Sequence, residues 1–333
     1  MPATLPDARA LRTGERRALV TPALLFVATC LSVLWTGALM TGEGEIPSSL
    51  AELARGWVYA VPLMTILTCH EFGHYIAARR HGVAASLPYF LPLPVFSPFG
   101  TLGAVITMPP IRSRSALLDV GAAGPLAGLV VAVPVLLLGL SLSPVQAQST
   151  GEYLQEGQSL LYWLLKRLAL GPIPEGHDVL LHPTAMAGWA GLFVTMMNLV
   201  PWGQLDGGHI AFALLGPAQN RVARLVRFSL LLFFAYNLAS FVLPVFLGRS
   251  SMPLDVAVSN SLTWLVWFAV LSLLGRLSGH DHPPCDGGPL SPRRQQVAIG
   301  CLLLFVLLFM PTPLARHTAE PASEMSPPAE GER

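Results

Sequence analysis

The residues Cys69-His70-Glu71-Phe72-Gly73-His74 set two imidazoles four positions apart, with a carboxylate next to the first. On a helix such positions are offset by about 40° and separated by a rise of about 6 Å, so both rings reach one ion. This is the His-Glu-x-x-His pattern, in which two histidines hold zinc and the glutamate serves as general base. Zinc lowers the pKa of water to about 7, and a carboxylate beside it takes the proton as hydroxide attacks a carbonyl. Glu71 is placed for that role and can return its proton to a leaving amine. Catalytic zinc usually takes three protein ligands and keeps one position open. Asp206 is the candidate third ligand, in Asn198-Leu199-Val200-Pro201-Trp202-Gly203-Gln204-Leu205-Asp206-Gly207-Gly208-His209, where Pro201 and the glycines interrupt an apolar run. Two plainer readings stand beside these: a packed polar cluster at a helix interface, and a turn-forming Asp-Gly.

The elements that must position these residues are membrane helices. Of the 333 residues 53% are hydrophobic and 12% charged, outside the usual balance of a soluble domain. A net charge of +1 with scattered arginines excludes the concentrated basic surface of a nucleic-acid binder. Cys30, Cys69, Cys285 and Cys301 are too few and too scattered for a disulfide framework. A bilayer core needs about 20 apolar residues per helix. Scanning on that basis gives spans near 20–40, 57–78, 117–142, 185–202, 228–247, 261–274 and 297–310. The expected fold is therefore an all-α polytopic membrane protein of about seven transmembrane helices.

Arginine clusters after alternate spans predict a cytoplasmic N-terminus and an outside C-terminus, in a bacterial cytoplasmic membrane. The opposite side receives the loop with Glu152, Glu156, Glu175 and Asp178, and then an acidic tail. His70 lies roughly 13 Å from Arg79 by helical rise, and the break before Asp206 falls at the same end of its span. Between Leu87 and Met108 four prolines precede a strand-like Thr101 to Thr107, which predicts a small re-entrant β-like segment near the site. Its unpaired edge offers a way to capture an unwound substrate by strand addition, against a merely structural loop. Ser159 to Leu170 is too short to span and predicts an amphipathic helix on the outer surface.

The motif pair resembles the site-2 protease family of intramembrane zinc metalloproteases. His70, Glu71 and His74 match its metal-binding helix, and Asn198, Pro201, Asp206 and Gly207 match its Asn-x-x-Pro-x-x-x-x-Asp-Gly pattern. Gly121, Gly124, Pro125 and Gly128 look like its small-residue helix. The resemblance covers about Trp57 to Gly216, and Gly188-Trp189 and His282-Pro283-Pro284 resemble the branch with chloroplast homologues. It implies one catalytic Zn²⁺, and a substrate-positioning or oxyanion role for Asn198 with Pro201 and Gly207. It also implies regulated intramembrane proteolysis, in which a membrane-tethered regulator already trimmed by another protease is cut within its transmembrane segment.

Residues 1–19 are then a cytoplasmic segment, 20–311 the transmembrane protease domain with its catalytic core at about 57–216, and 312–333 a disordered Pro/Glu-rich tail. Many members of the family carry a PDZ domain or a CBS pair, and the loop from Ser143 to Thr184 and the tail are each expected to be too short for these. Substrate selection would then use the membrane core or other proteins.

His209 is expected either to support Asp206 or to cap and pack. His81, which follows Arg79 and Arg80, is read as marking the membrane interface. His280, His282 and Cys285 are either a minor metal site or part of a Pro-rich loop. The competing class is a non-proteolytic membrane metal-binding protein or transporter. Transport would favour several polar positions along a path, and one compact cluster is visible instead.

Overall fold

The computed structural model of the chain describes residues 8–42, 44–147, 151–278, 285–286 and 288–319. In chain order it begins with helices α1 (Ala8–Thr41), α2 (Leu50–Arg55) and α3 (Trp57–Arg80), then the hairpin β1 (Tyr89–Pro92) and β2 (Thr101–Val105). Next come α4 (Arg114–Ser141), β3 (Val145–Ala147), β4 (Gly151–Glu156), α5 (Leu160–Leu170) and β5 (His177–Val179). They are followed by α6 (Pro183–Asn198), α7 (Asp206–Leu215), α8 (Gln219–Asn237), α9 (Leu243–Phe246), α10 (Leu254–Ser261), α11 (Thr263–Ser278), α12 (Pro292–Leu308) and β6 (Leu314–Ala319).

The chain is mostly helical, and among the described residues four helical stretches are long and apolar enough to cross a membrane: Leu19–Thr41, Arg114–Ser141, Asp206–Phe246 and Leu254–Arg276. The third is a run of 41 residues. It joins α7 to α8 through a single 3-10 turn, and α8 to α9 through a π-helical turn at Leu238–Val242. The expected fifth span at 228–247 therefore starts too late. A hydropathy scan passes over Arg221, Arg224 and Arg227, which lie inside α8. The expected fourth span at 185–202 is a helix of 16 residues that stops at Asn198, before Pro201.

α4 is the central element, packed against α3, α6 and α7. Its apolar face buries Leu117, Leu118, Leu136 and Leu140, and α6 adds the fully buried Trp189, Leu192 and Met196. Trp189 stacks on Phe193 with ring centroids 5.8 Å apart and donates its indole N–H to the Gly157 carbonyl at 2.9 Å.

The strand-like segment is an antiparallel hairpin with Tyr89 opposite Val105 and a register shift between Phe90 and Pro92. α1 holds it: Ser32 Oγ donates to the Gly100 carbonyl at 2.5 Å, and the Phe26 and Phe90 rings meet edge to face at 5.2 Å.

The amphipathic helix expected at 159–170 is α5, capped by Ser159 Oγ, with Leu160, Trp163, Leu164 and Leu168 exposed. The tail expected to be disordered from 312 instead begins with strand β6, in register with β4 from Gly151↔Ala319 to Glu156↔Leu314. Its backbone groups find a ladder there, reinforced by Asn260, which bonds both the N–H and the carbonyl of Arg316. A further pair, β3 with β5, was also not anticipated. Residues 320–333 lie outside the described residues.

Candidate metal centre

His70 and His74 project from one face of α3 and are 3% and 8% exposed. α6 ends at Asn198, the chain turns through Gly203 at φ 54, and α7 opens on Asp206 as its first residue. That tight return explains the two glycines after the aspartate. A methyl group at Gly207 would overlap the Leu199 carbonyl, and one at Gly208 would overlap the carbonyls of Gly203 and Trp202. Any side chain there would disturb the turn that sets Asp206 in place.

Three donor atoms converge. His70 Nε2 and His74 Nε2 are 3.2 Å apart, and Asp206 Oδ2 lies 3.4 Å from the first and 3.2 Å from the second. Zinc held tetrahedrally at about 2.0–2.1 Å from N and O sets its ligands about 3.3–3.4 Å apart, so the triangle fits one face of that polyhedron. Among the described residues these are the only three His, Cys, Asp or Glu side chains grouped in this way.

The tautomer agrees. His74 Nδ1 lies 2.8 Å from the Val120 carbonyl oxygen. A carbonyl only accepts, so Nδ1 carries the proton and the neutral ring turns a bare Nε2 lone pair toward the other two donors. A neutral His70 can place at most one N–H among these atoms, whereas one divalent cation satisfies all three donors together.

α4 seats both rings. A methyl group at Gly124 would fall inside the His74 imidazole, and one at Gly128 would come within 3.2 Å of His70 Cβ and Nδ1. The small residues of α4 are therefore the space the histidines occupy. The Val120 carbonyl was invisible in the sequence, because a backbone acceptor in an apolar helix has no side-chain signature.

A cavity of about 600 Å³ opens on the triangle and is also lined by Glu71, Asn198, Gln204 and His209. Glu71 is 7% exposed. Asn198 Nδ2 lies 3.2 Å from His70 Nε2. Residues 104–111, from β2 onward, form another wall, and the two-stranded sheet leaves β2 with one unpaired edge among the described residues. His209 packs beside Gly121 as well as lining the cavity.

Pro201 lies in the turn between α6 and α7 and Gly207 in the first turn of α7, and neither lines the cavity. His81 lies outside it, bonded to Asp119 at 2.9 Å. His280 and His282 lie outside the described residues, and Cys285 Sγ donates to the Ile111 carbonyl at 3.2 Å.

The sequence profile of peptidase family M50 matches residues 58–236, more than half of the chain and all of the site above. The chain belongs to peptidase family M50, the site-2 protease family.

Within M50 it is similar to plant proteins. It is 37% identical over 170 residues to the probable zinc metalloprotease EGY2, chloroplastic, of Oryza sativa subsp. indica, an overlap covering 50% of this chain and 30% of that protein. EGY2 of Arabidopsis thaliana is 29% identical over 281 residues, 80% of this chain and 44% of that protein. The probable zinc metalloprotease EGY1, chloroplastic, of Arabidopsis thaliana is 35% identical over 156 residues, 45% of this chain and 28% of that protein. The chain thus spans less than half the length of these M50 relatives. Zinc is the metal their names give, and the His70, His74, Asp206 donor set suits it.

Proposed function

We propose that the protein is an intramembrane zinc metalloprotease that hydrolyses peptide bonds in the transmembrane segments of membrane-tethered regulators. One observation carries this reading: three converging ligand atoms and a buried carboxylate share one cavity with the free-edged strand β2. A single zinc ion on His70, His74 and Asp206 would acidify water and polarise the scissile carbonyl. Glu71 takes the proton from the attacking water and returns it to the leaving amine. Asn198, beside His70 at the cavity, donates its amide N–H to the substrate carbonyl. His209 supports the Asp206 side of the cavity.

A peptide bond inside an intact helix is shielded, so the substrate unwinds and lies against β2 as an added strand, its backbone hydrogen bonds strengthened by the scarcity of water. Proline at Val105 removes one donor from that edge and lowers cleavage; unchanged cleavage counts against strand addition.

On this reading α3, α6 and α12 join the four long apolar helices to make seven spans around a re-entrant hairpin. Two contacts support the assigned sides. β4 pairs with β6, so the outer loop and the C-terminal strand share a side, and Arg294 and His81 both meet Asp119 at the end expected to face the cytoplasm. The plant relatives are named chloroplastic, so they lend no support to a bacterial membrane. The partner is a transmembrane substrate already trimmed by another protease.

The test is cleavage of a tagged single-span substrate by purified protein in detergent, comparing wild type, Glu71→Gln, and wild type with a chelator. Loss of cleavage in both, restored in the chelated sample by added zinc, supports the protease. Stoichiometric zinc without cleavage of any substrate in a panel favours a binding or transport protein.

A further inference from the structure

The early turns of α4 carry one acidic residue, Asp119, and it is held from two sides. Arg294, in the first turn of α12, donates through Nε to Oδ1 at 2.9 Å and through Nη2 to Oδ2 at 2.6 Å. His81, which caps the C-terminal end of α3, meets Oδ2 at 2.9 Å. The bidentate arginine contact is the strongest form of carboxylate pairing and fixes geometry as well as charge. Three elements far apart in sequence are thereby tied at one carboxylate.

An open groove of about 500 Å³ lies beside this clasp, lined by Gly73, Ile76, Ala123, His81 and Asp119. Beneath it α3 and α4 touch closely, since a methyl group at Gly73 would overlap the Ala123 carbonyl. The clasp adds a polar tie at the end of that contact. The next residue of α4 is Val120, whose carbonyl accepts from His74 Nδ1 at 2.8 Å and so selects the tautomer that leaves Nε2 bare. One turn thus points a side chain at α12 and the end of α3, and a backbone acceptor at a ligand histidine. Asp119 itself does not line the cavity that holds the ligands.

We propose that Asp119 is a positioning residue for His74. Clasped by Arg294 and His81, it fixes the level of α4 against α3, and so makes α12 part of the metal centre's support. α12 lies beyond residues 58–236, the part of the chain that matches the family. The proposal rests on the reading of His70, His74 and Asp206 as metal ligands.

The experiment measures zinc affinity by chelator competition on full-length protein in detergent, together with the visible absorption of the cobalt-substituted protein, which reports ligand geometry. Arg294→Gln and Asp119→Asn each weaken zinc about 10-fold, the low end of the usual loss for groups that orient a metal ligand, and each alters the cobalt spectrum. Arg294→Lys, keeping charge but losing the two-point contact, falls between these and wild type. The double variant is no worse than the weaker single, because both act through one contact. Variants that melt earlier yet bind zinc with wild-type affinity and an unchanged spectrum overturn the proposal, as does an additive double variant. A wild type that binds no zinc removes the metal-centre reading and the proposal with it. Zinc-binding Glu71→Gln that fails to cleave keeps the metal centre intact and separates the two.

Discussion

Two of the buried polar clusters among the described residues differ in whether they are complete. In the cap formed by β4, α5 and β5, Lys166 is the only lysine of the chain and is 8% exposed. Its ammonium lies 3.0 Å from Glu156 Oε1, which also accepts from Tyr162 Oη at 2.8 Å and from Gln158 Nε2 at 3.3 Å. Asp178 adds a weaker contact to Lys166 at 3.7 Å. Donors and acceptors balance, and nothing further is needed to keep the cluster buried. At the other cluster three atoms with lone pairs face one another across 3.2–3.4 Å, and with His74 protonated on Nδ1 the neutral rings supply at most one N–H to share between them. Burial by itself does not mark a functional site, since both clusters are buried. What marks it is an imbalance that one cation corrects.

The largest effect should come from removing a member of the unbalanced set. Asp206→Asn keeps the shape but withdraws the charge. Zinc affinity should fall by more than about 100-fold, the upper end of what merely supporting groups cost, as read by chelator competition. A smaller fall would show that two imidazoles suffice and would weaken the parallel with zinc peptidases. Gly124→Ala tests the seat, because its methyl group overlaps the His74 ring. Zinc affinity and cleavage should drop about 10–100-fold while the thermal midpoint changes less.

The cap should behave in the opposite way. Lys166→Met strands Glu156 and should cost about 3 kcal/mol in a denaturation experiment, leaving zinc stoichiometry untouched. Lys166→Met with Glu156→Leu should recover most of that loss. Zinc lost in step with the cap would erase the distinction between the clusters.

The sequence is most informative where chemistry lies in contiguous side chains. His70, Glu71 and His74 share one helical face, and that alone states a metal helix. Asp206 was legible because Pro201 and the paired glycines announce a broken helix beside a carboxylate. The Val120 carbonyl and the clasp on Asp119 were not legible: the first is backbone, and the second joins residues 175 apart that no local pattern connects. The same limit hid β6. Its polar residues read as a solvated tail until β4, more than a hundred residues earlier, supplies the partner ladder. Hydropathy placed the cores of the long spans well and misjudged their ends, as at α8, where arginines lie in a helix that the scan opens only at 228.

The smallest prediction concerns pH and belongs to the cap alone. Tyr162 is fully buried, and burial first, then the negative charge of Glu156 on its hydroxyl, raises its phenol well above the usual 10. The folded protein therefore holds that proton more tightly than the unfolded chain does. Its contribution to stability is complete below pH 10 and declines as the pH rises through 10 toward the higher folded value. Stability measured between pH 9 and about 11 should fall in wild type and fall less steeply in Tyr162→Phe, which has no proton to lose. Tyr162→Phe also deprives Glu156 Oε1 of its shortest hydrogen bond, so its stability at neutral pH should be lower by about 1 kcal/mol. Above pH 10 the two curves should converge. Parallel curves would mean that the hydroxyl reaches solvent more readily than its burial implies, and that the cap is less closed than the ligand cavity it is compared with.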